Sequence, residues 1–172
     1  MDGAYPDCFC EAWSLVGDDF GEVGNGELLA RVLTSPGHYA NDEILTQKLT
    51  AATASGVSLI RQGASDGEIL LTIDTLLAMA AEPQTLIGAA IFPVDLVRAL
   101  DGGARWYGIY HTPDGEKAHH ADILATTVVG SGSFRKKEDR ARRAKLRDAM
   151  MPTIVFSQLP NNLLGELRRH GI

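Results

Sequence analysis

Residues 105–127 read RWYGIYHTPDGEKAHHADILATT, and the fold class turns on this stretch. Two runs with strand-like alternation flank Pro113-Asp114-Gly115. That combination closes turns, because proline presets one backbone angle and glycine supplies the positive one. A hairpin over 105–127 is therefore expected. Consecutive strands joined so tightly must run antiparallel, since a parallel pair needs a crossover of a dozen or more residues.

Working outward, GELLARVLT and GVSLIRQ read as strands, the first carrying Arg31 and the second Ser58. The TSPGH stretch between them is a turn. Asn41 or Asp42 offers a cap for a helix running to Ala52, with Ile44, Leu45 and Leu49 at helical spacing. Ser65 and Glu68 have the spacing of a capping box, and the apolar stripe behind them predicts a helix over 66–80. TLIGAAIF reads as a buried strand, VDLVRAL as a short helix, TIVFSQL as a last strand, and Asn161 or Asn162 as the cap of a terminal helix. Strands and helices are mixed around a hairpin. The expected class is α+β, a single domain over 1–172 with a mixed or mostly antiparallel sheet and four to five helices.

The 172 residues are 45% apolar and 22% charged, an ordinary globular composition. No apolar run approaches the roughly 20 residues that cross a bilayer, and the opening MDGAYPDCFCEAW lacks the basic end and apolar centre of a signal peptide, so no membrane and a cytoplasmic location are expected. Residues 1–26 are glycine-rich and predicted irregular. The net charge of -6 conceals an asymmetry. Residues 1–134 hold 18 acidic and 6 basic side chains, whereas 135–148 hold 3 and 8. Wound as a helix over 134–151, RKKEDRARRAKLRD carries basic side chains nearly all round and is expected to bury little. It offers a face for an acidic protein partner or for self-association, or it docks on the chain's own acidic body. Nucleic acid is the less favoured partner, because the rest of the chain repels polyanions.

The hairpin also carries the candidate chemistry. Successive strand residues point to opposite faces, so Arg105, Tyr107, Ile109 and His111 share one face and His120, Asp122, Leu124 and Thr126 share another. With a four-residue turn at 113–116, Tyr107 stands opposite Asp122 and Ile109 opposite His120, and these polar groups converge. Trp106, Tyr110, His119 and Ile123 then form the other face. Arginine forks onto phosphate, histidine moves a proton near neutral pH, and a carboxylate fixes the tautomer of a neighbouring histidine. The expected ligand is an anionic small molecule, a nucleotide or phosphodiester. His120 would be the acid or base, Asp122 its orienter, Arg31 and Arg105 the anion contacts, and Tyr107, His111 and Ser58 hydrogen-bonding neighbours. The plainer reading is an Arg105–Asp122 pair on a solvated sheet face with two half-exposed histidines.

No metal is expected. Cys8 and Cys10 with His119 and His120 would make a Cys2His2 set, but paired zinc ligands usually lie two to four residues apart and adjacent strand residues point apart. Dinucleotide, P-loop, zincin and α/β-hydrolase motifs are all missing, so no cofactor is named by the sequence.

At Arg31, Ser58, Pro113 and His120-Ala121 the chain resembles a loosely defined group of small uncharacterised bacterial proteins. Their pattern has an early arginine, a short Ser-Val strand, a proline followed by His-Ala, and an Arg- and Lys-rich helix. The likeness covers about 27–148. It implies a bacterial origin and one site made from Arg31, Ser58 and His120, and it implies no activity. The early arginine followed by a strand serine is also similar to the opening of ADP-ribosyltransferases. Glu116, in a turn, and Glu166, in a helix, do not supply the late-strand glutamate of that family.

Overall fold

The computed structural model describes residues 22–53, 55–100, 106–125 and 136–172. Arg105, Thr126, Cys8, Cys10 and most of the 1–26 segment lie outside the described residues.

Among the described residues eight strands and four α-helices follow one another: β1 Leu28–Ser35, β2 Tyr39–Ala40, β3 Glu43–Ile44, a 3-10 helix Thr46–Thr53, β4 Val57–Arg61, α1 Asp66–Ala78, β5 Thr85–Pro93, α2 Val94–Arg98, β6 Tyr107–His111, β7 His120–Ala125, α3 Lys136–Met150, β8 Thr153–Phe156 and α4 Pro160–Arg169. Six strands form one sheet in the order β6-β7-β4-β1-β5-β8, and every neighbouring pair is antiparallel. The expected α+β class with an antiparallel sheet and a β6–β7 hairpin is the class observed.

Both sheet faces are covered. On one, Leu29, Leu33, Leu59, Phe92, Ile109 and Ile123 pack with Leu49 of the 3-10 helix, Val97 of α2, and Leu146 and Met150 of α3. On the other, Ala30, Val32, Ile60, Ala89 and Ile91 pack against Ile69 and Ile73 of α1 and Leu163 and Leu167 of α4. This explains why β1 is buried at six consecutive positions, where a half-solvated antiparallel strand would alternate. Gly88 lets β5 lie close to β8, because a Cβ there would run into the Val155 carbonyl oxygen.

Local chemistry accounts for the helix ends. Ser65 Oγ accepts from Glu68 N at 3.3 Å while Glu68 Oε2 accepts from Ser65 N at 2.7 Å, so the capping box is present at the start of α1. Three expectations are corrected. Asn41 and Asp42 are no helix cap; at φ 53° and 61° they form the two-residue loop of the β2–β3 hairpin, a turn that favours these residues. The segment behind them is a 3-10 helix. α4 starts at Pro160, with Leu159 as its cap, because proline is suited to the first helical position.

The basic helix α3 also buries more than its charge suggests. Leu146 and Met150, one turn apart, are fully buried. Arg142 lies over the Trp106 ring at 5.1 Å, and Arg147 pairs with Glu43 at 2.6 Å. Of the readings of the basic segment, docking on the chain's own body is the one these contacts support. Among the described residues no helix is long and apolar enough to cross a membrane.

Candidate functional site

The β1–β4 ladder contains two residue pairs, Leu29 with Arg61 and Ala30 with Ile60. On its other side β1 pairs with β5 over its whole length. Continued registration would set Arg31 against Leu59 and Val32 against Ser58, but there the strands part. The gap is a cleft of about 300 Å³. Ala30, Arg31 and Val32 line it from β1, and Gly56, Ser58, Leu59 and Ile60 from the β4 side. Thr72 and Leu76 of α1, Lys48 and Ala51 of the 3-10 helix, and His38 complete the walls. His38, Lys48 and Leu76 also line an adjoining hollow of about 360 Å³ that runs to Glu82 and Gln84.

Arg31 and Ser58 are thus brought together on one cleft, and the parting of the strands explains the exposure of Ser58. Ser58 is exposed although its strand lies inside the sheet. Arg31 is 6% exposed, and its Nε has no hydrogen-bond partner among the described residues. Burial pushes its guanidinium down to about 10, with the Asp122 carboxylate opposing, so the side chain remains a cation at neutral pH. A buried cation with an unmet donor is costly unless something accepts from it.

Asp122 stands directly across the β4–β7 ladder from Ser58. Its Oδ2 accepts from Thr112 Oγ1 at 2.8 Å, and its Oδ1 is buried without a partner among the described residues. Gly56, at φ +94°, leaves room for this carboxylate: a Cβ there would fall 2.7 Å from Oδ1. His120 is opposite Ile60, two residues earlier on β7, and does not itself line the cleft. Its Nδ1 lies 2.6 Å from the Thr112 carbonyl oxygen and 3.9 Å from Asp122 Oδ2. A carbonyl only accepts, so Nδ1 carries the proton, and Nε2 bears the lone pair when the ring is neutral. Thr112, rather than Asp122, fixes that tautomer.

Tyr107 and His111 are on the opposite face, which corrects the expected convergence. The observed register pairs Tyr110 with Asp122, Ile109 with Ile123 and His111 with Ala121. Asp114 and Lys117 close a small bridge of their own, with Gly115 at φ +58° and a 2.8 Å ion pair. The loop is therefore longer than the four residues expected, and the register differs by an odd number. With a side-chain period of two, an odd slip exchanges the faces that meet. His111 is fully buried, and its Nδ1 accepts from Arg61 Nη1 at 2.9 Å while Arg61 Nε pairs with Glu27 at 2.8 Å. Tyr107 faces α3, and burial pushes its phenol up, Asp139 adding to this against Arg142 and Arg143. His119 reaches α1: its backbone N and its Nδ1 contact Glu68 Oε1 at 2.8 and 3.1 Å.

His38 and Lys48 belong to the cleft and were not anticipated. Gln84 Oε1 accepts from Gly37 N at 2.7 Å and from Thr34 Oγ1 at 2.9 Å. The Thr34 hydroxyl has spent its one proton, so it accepts from His38 Nδ1, 3.0 Å away, and Nε2 keeps the lone pair. Burial, then Arg31 and Lys48, push His38 down to about 4. It is a neutral imidazole at neutral pH. The TSPGH turn was the available signal: a histidine placed by a proline-glycine turn directly after an arginine-bearing strand.

Compared with family models, with curated proteins and with solved structures, the chain matches none.

Proposed function

We propose that the protein binds a small phosphate-bearing molecule, a nucleotide or phosphodiester, in the β1–β4 cleft. The observation that carries this reading is Arg31, a buried cation with an unmet donor on the wall of an open cleft. Lys48 adds a second positive charge at the rim, Ser58 a hydroxyl, and Asp122 a single negative charge behind Gly56. Two cations facing one carboxylate leave net positive charge, which suits a phosphate group held by arginine and lysine together. Ala30, Val32, Leu59 and Leu76 give the walls an apolar character that suits a ring, and the volume is at the lower end for a small-molecule site. Arg31, Ser58 and Asp122 remain from the sequence-based set, joined by Lys48 and His38. His120 and Thr112 form the support of Asp122 on the neighbouring strand.

A thermal-shift series with AMP, inorganic pyrophosphate and adenosine tests this. A ligand at about a hundred times its dissociation constant adds about 2.7 kcal/mol, which raises the midpoint of a chain this size by about 5–10 °C. The phosphate-bearing probes should stabilise the wild type and adenosine should not. Lys48→Gln, an exposed change that leaves the core intact, should reduce the shift. Equal response to AMP and adenosine would overturn the phosphate reading.

A further inference from the structure

We infer that anion binding in this cleft is coupled to proton uptake at His38, whose Nε2 takes a proton and donates it in a hydrogen bond to the bound anion. The inference rests on the cleft being an anion site and adds a regulatory property to it. Geometry supplies the first support. His38 is shared by the cleft and the adjoining hollow, and it is half-buried at the junction of the two. Its Nδ1 is engaged by Thr34, whose own proton goes to Gln84, so rotation of the ring would cost that bond. Nε2 is left as the nitrogen that can meet a ligand.

Electrostatics supplies the second. The charged groups around the ring come from several elements: Arg31 on β1, Lys48 on the 3-10 helix, and Glu82, which lines the adjoining hollow. From α1 the cleft walls present Thr72 and Leu76, and from β4 Ser58, none of them charged near neutral pH. Burial disfavours a proton on the ring, and Arg31 and Lys48 add to it. An anion laid across these two cations cancels their share of what keeps His38 neutral and offers an acceptor for Nε2–H. The two equilibria are then linked, and by reciprocity acid conditions strengthen anion binding.

Sulfate is the suitable probe, because its charge does not change between about pH 5 and about pH 8, so any pH dependence belongs to the protein. The ring resonances of His38 are followed by NMR across pH, with and without saturating sulfate, and His170 at the exposed C-terminal end of α4 serves as the internal control. The expected result is a His38 midpoint about one unit or more higher with sulfate, an unmoved His170, and sulfate affinity several-fold higher at about pH 5 than at about pH 7. In Lys48→Gln the midpoint of the free protein should already be raised, and in His38→Gln the affinity should lose its pH dependence over this range. Sulfate that shifts the Gly56 and Ser58 amides while the His38 midpoint stays fixed overturns the coupling and leaves the anion site standing. If sulfate shifts neither amide at any pH, the anion site itself fails, and the coupling with it.

Discussion

Replacing Glu68 should cost more than the loss of an exposed helix-end glutamate ordinarily does. Its carboxylate accepts from Ser65 N at 2.7 Å, from His119 N at 2.8 Å and from His119 Nδ1 at 3.1 Å, and so ties the start of α1 to the start of β7. Burial raises its pKa, but the hydrogen bonds from Ser65 and His119 outweigh this and bring it from 4.5 to about 2. At about 1.4 kcal/mol per unit, that drop is worth roughly 3 kcal/mol of stability, and solvent access at a helix end reduces it to about 2. The folded-state pKa is the lower one, so this contribution is present above about 4.5 and fades as pH falls toward about 2. Glu68→Ala should lose about 2–3 kcal/mol at neutral pH. Glu68→Gln keeps an acceptor for the capping box and should lose about 1–2. Urea unfolding followed by circular dichroism at about pH 7 and about pH 3 gives both numbers, and the deficit of Glu68→Gln should shrink in acid. A Glu68→Ala protein within about 0.5 kcal/mol of the parent at neutral pH, or a Glu68→Gln deficit equally large in acid, would refute the clamp.

Two further substitutions probe the parts around the cleft. Leu146→Ala should destabilise by about 2–4 kcal/mol in the same assay, because Leu146 is fully buried; a change under about 0.5 kcal/mol would return α3 to the status of a solvated helix. Gly56→Ala places a Cβ 2.6 Å from the Asp122 carboxylate carbon at a residue with φ +94°, and should cost about 2–4 kcal/mol and displace Asp122; a neutral effect would mean that Gly56 does not shape the cleft.

The main elements were legible because their signals are local. The capping box at Ser65 and Glu68, the alternation on either side of Pro113-Asp114-Gly115, and the apolar run of β5 each specify structure within a few residues. The site was legible only in its members. Arg31 and Ser58 stand out as polar residues on apolar strands, but their meeting depends on β1 and β4 parting after two pairs, which no local pattern encodes. The hairpin register failed for a similar reason: Asp114 and Lys117 close their own bridge, and one odd slip turned Tyr107 and His111 away from Asp122. His38 escaped notice because its role depends on how Arg31, Lys48 and Gln84 fold around it, which its turn does not encode.

If the gap between β1 and β4 is an anion site, a phosphate-bearing ligand must perturb the residues that line it. Backbone amide shifts of the isotopically labelled protein, followed during a titration with AMP, show whether it does. The largest saturable shifts should fall on Arg31, Lys48, Gly56 and Ser58. Shifts concentrated instead on Arg140, Arg142 and Arg143 of α3, or no saturable shift anywhere, would rule the anion site out.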